Sequence, residues 1–259
     1  MSSKLVSTTR SLRYRKARRR RGLAVLEGAR LVEEALAANL VIRGALVSIE
    51  AGGEGRVGEV LAALRDRSVP VETLDATEFD DIAETETPQG ILAVVEQRSA
   101  ELCEIGVDAG GLALVLDAVQ DPGNVGSMIR SAHALGASGV VLLPGSADLW
   151  NPKVLRSAMG ASFKIPVAVA GHRDFAKWCN ASDLEVWAGS GTGVPLCEIE
   201  AGTVSRALVL GNEGAGLSPE LRALVNREVG IPIAGDAESL NVGVAAGILM
   251  HEMLKGRTP

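Results

Sequence analysis

The chain contains 259 residues, of which 47% are hydrophobic and 22% are charged, so it can form one or two folded domains and is too apolar to be disordered throughout. No apolar run approaches the ~18–20 residues that cross a membrane, and the N-terminus lacks the apolar stretch of a signal peptide. The three cysteines form no CxxC pair, which excludes a zinc ribbon or a disulfide framework and favours a reduced, cytoplasmic compartment.

The first feature along the chain is a basic segment. Eight of the 12 residues from Arg10 to Arg21 are Lys or Arg, and no acid precedes Glu27, although the whole chain has a net charge of −6. We assign residues 1–22 to a basic arm that attracts nucleic acid; the alternative is a solvated helix face or a tail without a partner. Because aromatic residues make up only 3% of the chain, binding that rests mainly on base stacking is not expected. The residues predicted to contact nucleic acid are Arg13, Arg15, Lys16, Arg18, Arg19, Arg20 and Arg21.

Residues 23–97 have the pattern of a small α/β domain. Apolar residues recur at helical spacing over 31–36 and again over 57–64, which predicts two amphipathic helices. Short apolar runs bounded by turn residues predict strands at Leu40–Ile49, Val69–Leu74 and Gly90–Val95. Residues 98–111 are acidic and glycine-tipped without clear periodicity, so we predict a linker there.

From residue 112 to the end, short apolar runs alternate with helical patterns, which predicts a parallel α/β sheet covered on both faces. The predicted strands are Leu112–Leu116, Val140–Leu143, Ile165–Val169, Leu184–Ala188, Ala207–Leu210 and Val229–Ile233. The predicted helices are Gly123–Leu135, Trp150–Met159, Asp174–Asn180, Pro219–Val225 and Ser239–Leu254.

Two loops that follow predicted strands carry polar residues that a simple turn does not require. In the first, Asn124 is suited to cap the next helix and Arg130 lies two turns into it, although this could be an ordinary helix start. The second is the run 211–218, in which Ser218 caps a helix while Glu213 stands among glycines. A carboxylate in such a loop suits the binding of a cationic or hydroxyl group.

Two further loops are rich in glycine. Residues 189–193 read GSGTG, a weak match to a dinucleotide loop because the spacing is GxGxG and Pro195 follows. Near the C-terminus Ser239 is a natural N-cap, and Gly243 and Gly247 each cost their helix ~0.5–1 kcal/mol relative to alanine. This cost predicts the close approach of another backbone or of a ligand.

Several other catalytic patterns are absent. The sequence contains no HExxH, GxSxG or GxxxxGK[ST] motif, and its three histidines are isolated, with His133 expected to pack rather than to act as a base. We therefore expect neither a metal site nor a Ser-His-Asp hydrolase.

Taken in order, the loops resemble the three motifs of the SpoU/TrmH-type RNA 2'-O-methyltransferases of the SPOUT superfamily. The first motif is matched by NVGSMIRSAHALG from Asn124, the second by LGNEGAGLS from Leu210, and the third by Ile231–Ile233 with Ser239–Val242. The stretch Leu155–Phe163 is similar to the family's segment between the first two motifs. The basic residues, followed by the segment that starts at Glu27, more loosely resemble the family's L30e-like RNA-binding extension.

The resemblance implies a fold, a cofactor and an assembly. The fold is a parallel sheet with a deep C-terminal trefoil knot, residues 112–259, preceded by the L30e-like domain, and the chain pairs as a homodimer with a shared site. The cofactor is S-adenosyl-L-methionine. Family members commonly have serine where this chain has Gly243, so a hydroxyl contact from that position is missing here. By the resemblance, the cofactor-binding residues are Gly191, Leu210, Gly211, Ile231, Ile233 and Leu240.

The implied chemistry is methyl transfer to a ribose 2'-hydroxyl, with rRNA favoured over tRNA as substrate. The implied catalytic residues are Arg130, Asn124, Glu213 and Asn241, and Arg156 joins the RNA contacts. We expect Arg130 to hold a phosphate rather than to act as the base, because a guanidinium stays protonated at neutral pH. Three alternatives remain: a tRNA 2'-O-methyltransferase, a non-catalytic RNA-binding protein that retains the fold, and a nucleotide-cofactor oxidoreductase suggested by the GxGxG loop.

Overall fold

The computed structural model describes residues 3–53, 55–199, 203–235 and 239–255, so the ends of the predicted basic arm and of the predicted C-terminal domain lie outside the described residues. The helices, in chain order, are α1 (Lys4–Ser11), α2 (Arg15–Arg21), α3 (Ala29–Ala37), α4 (Gly55–Asp66), α5 (Ala76–Ile82), α6 (Pro122–Ala134), α7 (Pro152–Ala158), α8 (His172–Ala181), α9 (Pro219–Arg222) and α10 (Val242–Leu254). The strands are β1 (Leu23–Glu27), β2 (Ile42–Ser48), β3 (Val71–Leu74), β4 (Ile91–Glu96), β5 (Leu112–Leu116), β6 (Gly139–Leu142), β7 (Val167–Val169), β8 (Glu185–Pro195), β9 (Arg206–Leu210) and β10 (Arg227–Gly230).

These elements divide into two units whose boundaries differ from the predicted domains. The first unit comprises Met1–Arg98 and Asp148–Phe163, and the second comprises Ser99–Ala147 and Lys164–Pro259. The segment with α7 therefore belongs with the N-terminal residues, where α7 packs against β1. The predicted linker is also different, because Ile105 lies in the core of the second unit with only 2% of its surface exposed.

The first unit is built on a four-stranded sheet in the order β1-β4-β2-β3. β4 pairs antiparallel with both β1 and β2, whereas β2 and β3 are parallel. The sequence did not predict β1 or α5. In α5 only Phe79 and Ile82 are buried among acidic neighbours, so its apolar period is too short to detect.

The predicted basic arm is part of this unit rather than a separate extension. Val6 of α1 packs in a cluster with residues of β2 and α5, including Leu46 and Phe79, and Leu12 is fully buried. Most of the predicted arm is helical, in α1 and α2. Helix α2 is capped at its C-terminus by Gly22, whose φ of 63° is the left-handed conformation that glycine adopts at low cost.

The second unit is built on a six-stranded sheet in which every strand pair is parallel, as predicted. The strand order is β10-β8-β9-β5-β6-β7. The two strands that follow β5 in the chain, β6 and β7, lie on one side of it, while β9, β8 and β10 lie on the other. In such sheets ligands bind at the carboxyl ends of the strands beside the point where the order reverses, which is here between β5 and β9.

Two strands at this end of the sheet differ from prediction. β8 extends to Pro195 and so includes the glycine run 189–193, which therefore does not begin a helix as a dinucleotide-binding loop would. β10 ends at Gly230, which leaves Ile231 and Ile233 in the loop that follows.

The helix caps were predicted correctly at one of three positions. Ser218 caps α9 by accepting from the Leu221 N–H, as expected. Asp121, not Asn124, caps α6, and Asn241, not Ser239, caps α10. Because Asp121 caps α6, the side chain of Asn124 is available for another contact. The side chain of Asn241, by contrast, is fixed by its role as the cap of α10.

Candidate active site

A cavity of about 660 Å³ opens in the second unit at the carboxyl ends of β8, β9 and β10. Its wall comes from the glycine run of β8, the loop after β9, the loop after β10 and the first turns of α10. The structure brings together on this wall all six predicted cofactor-binding residues: Gly191, Leu210, Gly211, Ile231, Ile233 and Leu240.

In much of this wall, backbone segments from neighbouring strands and loops pack directly against each other. A Cβ atom on Gly211 would lie 2.5 Å from the carbonyl carbon of Gly216, and one on Gly230 would lie 2.8 Å from the Gly193 carbonyl oxygen. Gly191 differs, because nothing lies within 4 Å of the position that its Cβ would take. Glycine is thus required for close packing at Gly211 and Gly230, and it leaves open space at Gly191.

Three of the four predicted catalytic side chains form one hydrogen-bonded chain. The Asn124 amide donates from Nδ2 to Glu213 Oε1 at 2.8 Å, and its Oδ1 accepts from Asn241 Nδ2 at 3.2 Å. An ionised carboxylate only accepts, so Asn124 must turn its NH₂ toward Glu213. Its oxygen then faces Asn241, whose own oxygen accepts from the Gly243 and Val244 N–H groups. The orientation of each amide therefore follows from the charge on Glu213.

The loop that carries Glu213 is held from both ends. Asn212 and Gly216 exchange two backbone hydrogen bonds of 3.0 and 2.9 Å. The Asn212 side chain accepts from the Gly214 and Ala215 N–H groups and donates to the Ala118 carbonyl at 3.1 Å. Glu213 is thereby fixed relative to the loop after β5, on which α6 and Asn124 are built.

Sequence reasoning missed a contact beneath this loop. His172, which was expected to be isolated, lies with Nε2 at 2.9 Å from Asp117 Oδ1 and 3.1 Å from Ser218 Oγ. The other Asp117 oxygen accepts from the Ser218 N–H at 2.7 Å. One imidazole nitrogen faces both partners, whereas a Ser-His-Asp relay uses the two ring nitrogens separately, so this arrangement ties loops together rather than forming a hydrolase triad.

Arg130, the fourth predicted catalytic residue, is exposed on α6. It is not among the described residues that line the cavity. The neighbouring His133 is also exposed, which corrects the prediction that it packs inside.

The two conspicuous glycines of α10 have different surroundings. A Cβ on Gly243 would lie 3.1 Å from both Ser127 Oγ and Asn241 Oδ1, so the space there is limited by side chains and not by the predicted backbone. At Gly247 nothing in the described chain lies within 4 Å of that position, so no other backbone of this chain approaches it.

The predicted RNA contacts also divide into two groups. Arg18 is a correction, because it is 3% exposed, with Nη2 at 2.7 Å from Asp148 Oδ2 and Nη1 donating to the Leu12 and Arg13 carbonyls. Arg156 also faces inward, with Nη1 at 3.5 Å from Oε2 of the buried Glu27. The remaining predicted contacts are exposed: Arg13, Arg15, Lys16, Arg19, Arg20 and Arg21.

Within the described ranges, no group of three or more His, Cys, Asp or Glu side chains could hold a metal ion. Nor does any helix of the described chain have the length and apolar character needed to cross a membrane.

Comparison with known proteins identifies the fold and the family. Residues 111–251 match the SpoU rRNA Methylase family, and residues 4–93 match the MRM3-like substrate binding domain. The chain is 36% identical over 249 residues to the 23S rRNA (guanosine(2553)-2'-O)-methyltransferase RlmP of Bacillus subtilis, an alignment that covers 96% of this chain and 95% of that protein.

Two solved structures superpose on nearly the whole chain. The AdoMet-bound rRNA methyltransferase of Sinorhizobium meliloti has a TM-score of 0.87 at 32% identity and covers 97% of this chain and 94% of its own. The SpoU methyltransferase AviRb of Streptomyces viridochromogenes, in complex with AdoMet, also has a TM-score of 0.87, at 29% identity, and the superposition covers 98% of each chain. This chain therefore belongs to the SpoU rRNA methylase family.

Proposed function

We propose that this protein transfers a methyl group from S-adenosylmethionine to a ribose 2'-hydroxyl of rRNA. The observation that carries this function is the meeting of the glycine-walled cavity with the Asn124, Glu213 and Asn241 chain, in a protein of this family. The rRNA substrate is supported by the relatives, since RlmP is named for methylating 23S rRNA. A cytoplasmic location is supported by the rRNA substrate and by three free cysteines, which suit a reducing compartment.

The cavity fits S-adenosylmethionine in size and in chemistry. Its volume of about 660 Å³ falls within the ~300–1,000 Å³ of small-molecule sites. Backbone at Gly191, Leu210, Gly211 and Ile231 can bind polar groups of the cofactor, and Leu240 and Leu249 offer apolar contact. When bound there, S-adenosylmethionine supplies a methyl group already activated by its sulfonium.

The chain's own residues then have to orient the ribose hydroxyl. Asn124 engages one oxygen of Glu213, and the carboxylate retains lone pairs that can accept a hydrogen bond from a hydroxyl. Asn241 fixes Asn124 while it caps α10, so the amide does not need to reorganise when substrate binds. Alignment of the hydroxyl in this way converts binding energy into rate.

Arg130 fits the role of a phosphate-binding residue in a homodimer. Its side chain is exposed and does not line the cavity of its own chain, so it can reach RNA bound at the cavity of a second copy. The pairing is supported by α10, on which Val244 and Ile248 are 52% and 40% exposed beside the uncrowded Gly247. An apolar helix face of this kind favours burial against a partner.

We also assign the C-terminal trefoil knot and the L30e-like character of the first unit to this protein. The knot is supported by the tight parallel pairing of β8 with β10, where a Cβ on Gly193 would lie 2.5 Å from the Val229 carbonyl carbon. The L30e-like relationship is supported by a four-stranded sheet with α3, α4 and α5 and by the match to a substrate-binding domain.

The alternative of a non-catalytic RNA-binding protein is disfavoured by the intact polar chain. A protein that had lost activity would not need Glu213 held by Asn124, with Asn124 held in turn by Asn241. The oxidoreductase alternative is disfavoured because the GxGxG run lies inside β8.

Calorimetric titration with S-adenosylhomocysteine tests the cofactor site. We expect one site per chain in the wild type and loss of binding in Gly191→Val, whose side chain would enter the open cavity without displacing the chain. Gly106→Val is the matched control, since Gly106 is exposed, lies outside the cavity and also has nothing within 4 Å of its Cβ position. Equal binding by wild type and Gly191→Val would contradict the assignment of the cavity.

A further inference from the structure

Tyr14 lies at the turn between α1 and α2 with its ring in solvent. It is 66% exposed, more than any other large hydrophobic residue of the described chain, and it is the only tyrosine in the sequence. Its backbone is fully engaged: its N–H donates to the Ser11 carbonyl, and its carbonyl accepts from the Ala17 and Arg18 N–H groups at 3.0 and 3.1 Å. The side chain forms no capping hydrogen bond for α2.

The surroundings of the ring are cationic. Arg13, Arg15 and Lys16 flank it in sequence and are all exposed, and Arg19 follows one turn later on α2. No acidic residue precedes Glu27 in the chain. Arg13 donates to the Asp81 carbonyl at 3.1 Å, while the side chains of Arg15 and Lys16 are exposed to solvent, where phosphates can reach them.

The turn that presents Tyr14 is rigidly held. Arg18, buried in the same helix, donates to the Leu12 and Arg13 carbonyls on the N-terminal side of Tyr14 and pairs with Asp148. The backbone position of Tyr14 is therefore set before any ligand arrives, which lowers the entropy cost of using its ring in binding.

We propose that Tyr14 stacks on an unpaired base of the RNA substrate while the surrounding cations bind its phosphates. An aromatic ring among cations suits a single-stranded nucleotide, because the ring can stack on the base and the cations can bind the phosphate. Bases inside a duplex are already stacked on each other. This inference rests on the proposed RNA substrate and adds a single-stranded segment next to the α1–α2 turn. One such contact is compatible with the low aromatic content, because the rest of the affinity comes from charge.

The test measures binding of single-stranded oligouridylate, and of a blunt RNA duplex of equal length, over a series of salt concentrations. Tyr14→Ala should weaken binding of the single strand by about 5- to 100-fold without changing the slope of log affinity against log salt. Tyr14→Phe should bind within about twofold of the wild type, because it keeps the ring. Arg15→Ser should instead flatten the slope by about 0.7, the share of one phosphate.

Ile49→Ala is the matched control, because Ile49 is 65% exposed in the same unit and has no basic neighbours in the chain. The proposal is overturned if Tyr14→Ala binds the single strand like the wild type, if Tyr14→Phe loses as much as Tyr14→Ala, or if the duplex suffers the same loss. Wild-type protein that binds S-adenosylhomocysteine but neither RNA would instead overturn the RNA substrate, and this proposal with it.

Discussion

Arg18 and Arg19 are adjacent arginines of α2 in opposite environments. Arg18 is 3% exposed and paired with Asp148, whereas Arg19 is exposed. Because removal of one partner leaves a buried charge without compensation, Arg18→Ala should lower the free energy of unfolding by ~3–5 kcal/mol in denaturant titrations. Arg19→Ala should change it by less than about 0.5 kcal/mol and weaken RNA binding instead. Equal stability of the two variants would contradict the structural role of Arg18.

The polar chain at the cavity makes a second prediction about single residues. Asn124→Ala should lower kcat by about 10- to 1,000-fold, because Glu213 loses the donor that fixes it, while the Kd of S-adenosylhomocysteine should change little. Combining Asn124→Ala with Glu213→Gln should cost much less than the product of the two single losses, since the two side chains act as one unit. Fully multiplicative losses in single-turnover assays would show that they act separately.

The cysteines make a third prediction. Burial raises the pKa of Cys179 to about 12, whereas Cys103 and Cys197 are exposed. At pH 8.5 iodoacetamide should therefore modify Cys103 and Cys197 in the native protein and spare Cys179, as read by peptide mass spectrometry. Between pH 9 and about 12 the folded state keeps a proton that the unfolded state releases, so Cys179 should lower the free energy of unfolding as the pH rises through this range.

The outward face of helix α10 allows packing between chains to be tested separately from packing within the chain. Val244, Gly247, Ile248 and His251 recur at helical spacing and form its outward face. In the proposed homodimer this face is the interface, so in sedimentation velocity the wild type should sediment as a dimer and Ile248→Glu as a folded monomer, because a carboxylate would be buried there. His251→Glu, next to it at the rim of the same face, is the milder control. An unchanged dimer in Ile248→Glu would move the interface elsewhere.

The sequence predicted the strands of the second unit better than their ends. β5 was predicted to the residue, because a fully buried parallel strand is a continuous apolar run with turn residues on both sides. β8 was predicted too short, since its glycine run carries no apolar signal although the chain stays extended against β10. Helix starts were misplaced at α6 and α10, where several side chains capable of capping stand within a few residues and tertiary contacts select one.

At the scale of the whole molecule, the sequence predicted which residues meet at the cavity but not which charges face solvent. The predicted cofactor-binding residues lie at or just after the carboxyl ends of neighbouring parallel strands, so the motif matches were sufficient to group them. The inward direction of Arg18 and the return of the segment 148–163 to the first unit both depend on long-range contacts. The local pattern of basic residues around Arg18 cannot predict its ion pair with Asp148, which lies about 130 positions away in the chain.

The central claim is methyl transfer to a ribose hydroxyl of rRNA by this chain, and one measurement tests it most directly. The wild-type protein is incubated with methyl-labelled S-adenosylmethionine and unmodified 23S rRNA, and the product is hydrolysed in alkali. A 2'-O-methyl group removes the hydroxyl that attacks the neighbouring phosphodiester, so the account predicts label in an alkali-resistant dinucleotide. Label in a mononucleotide methylated on its base, or no transfer by protein that binds S-adenosylhomocysteine, would contradict it.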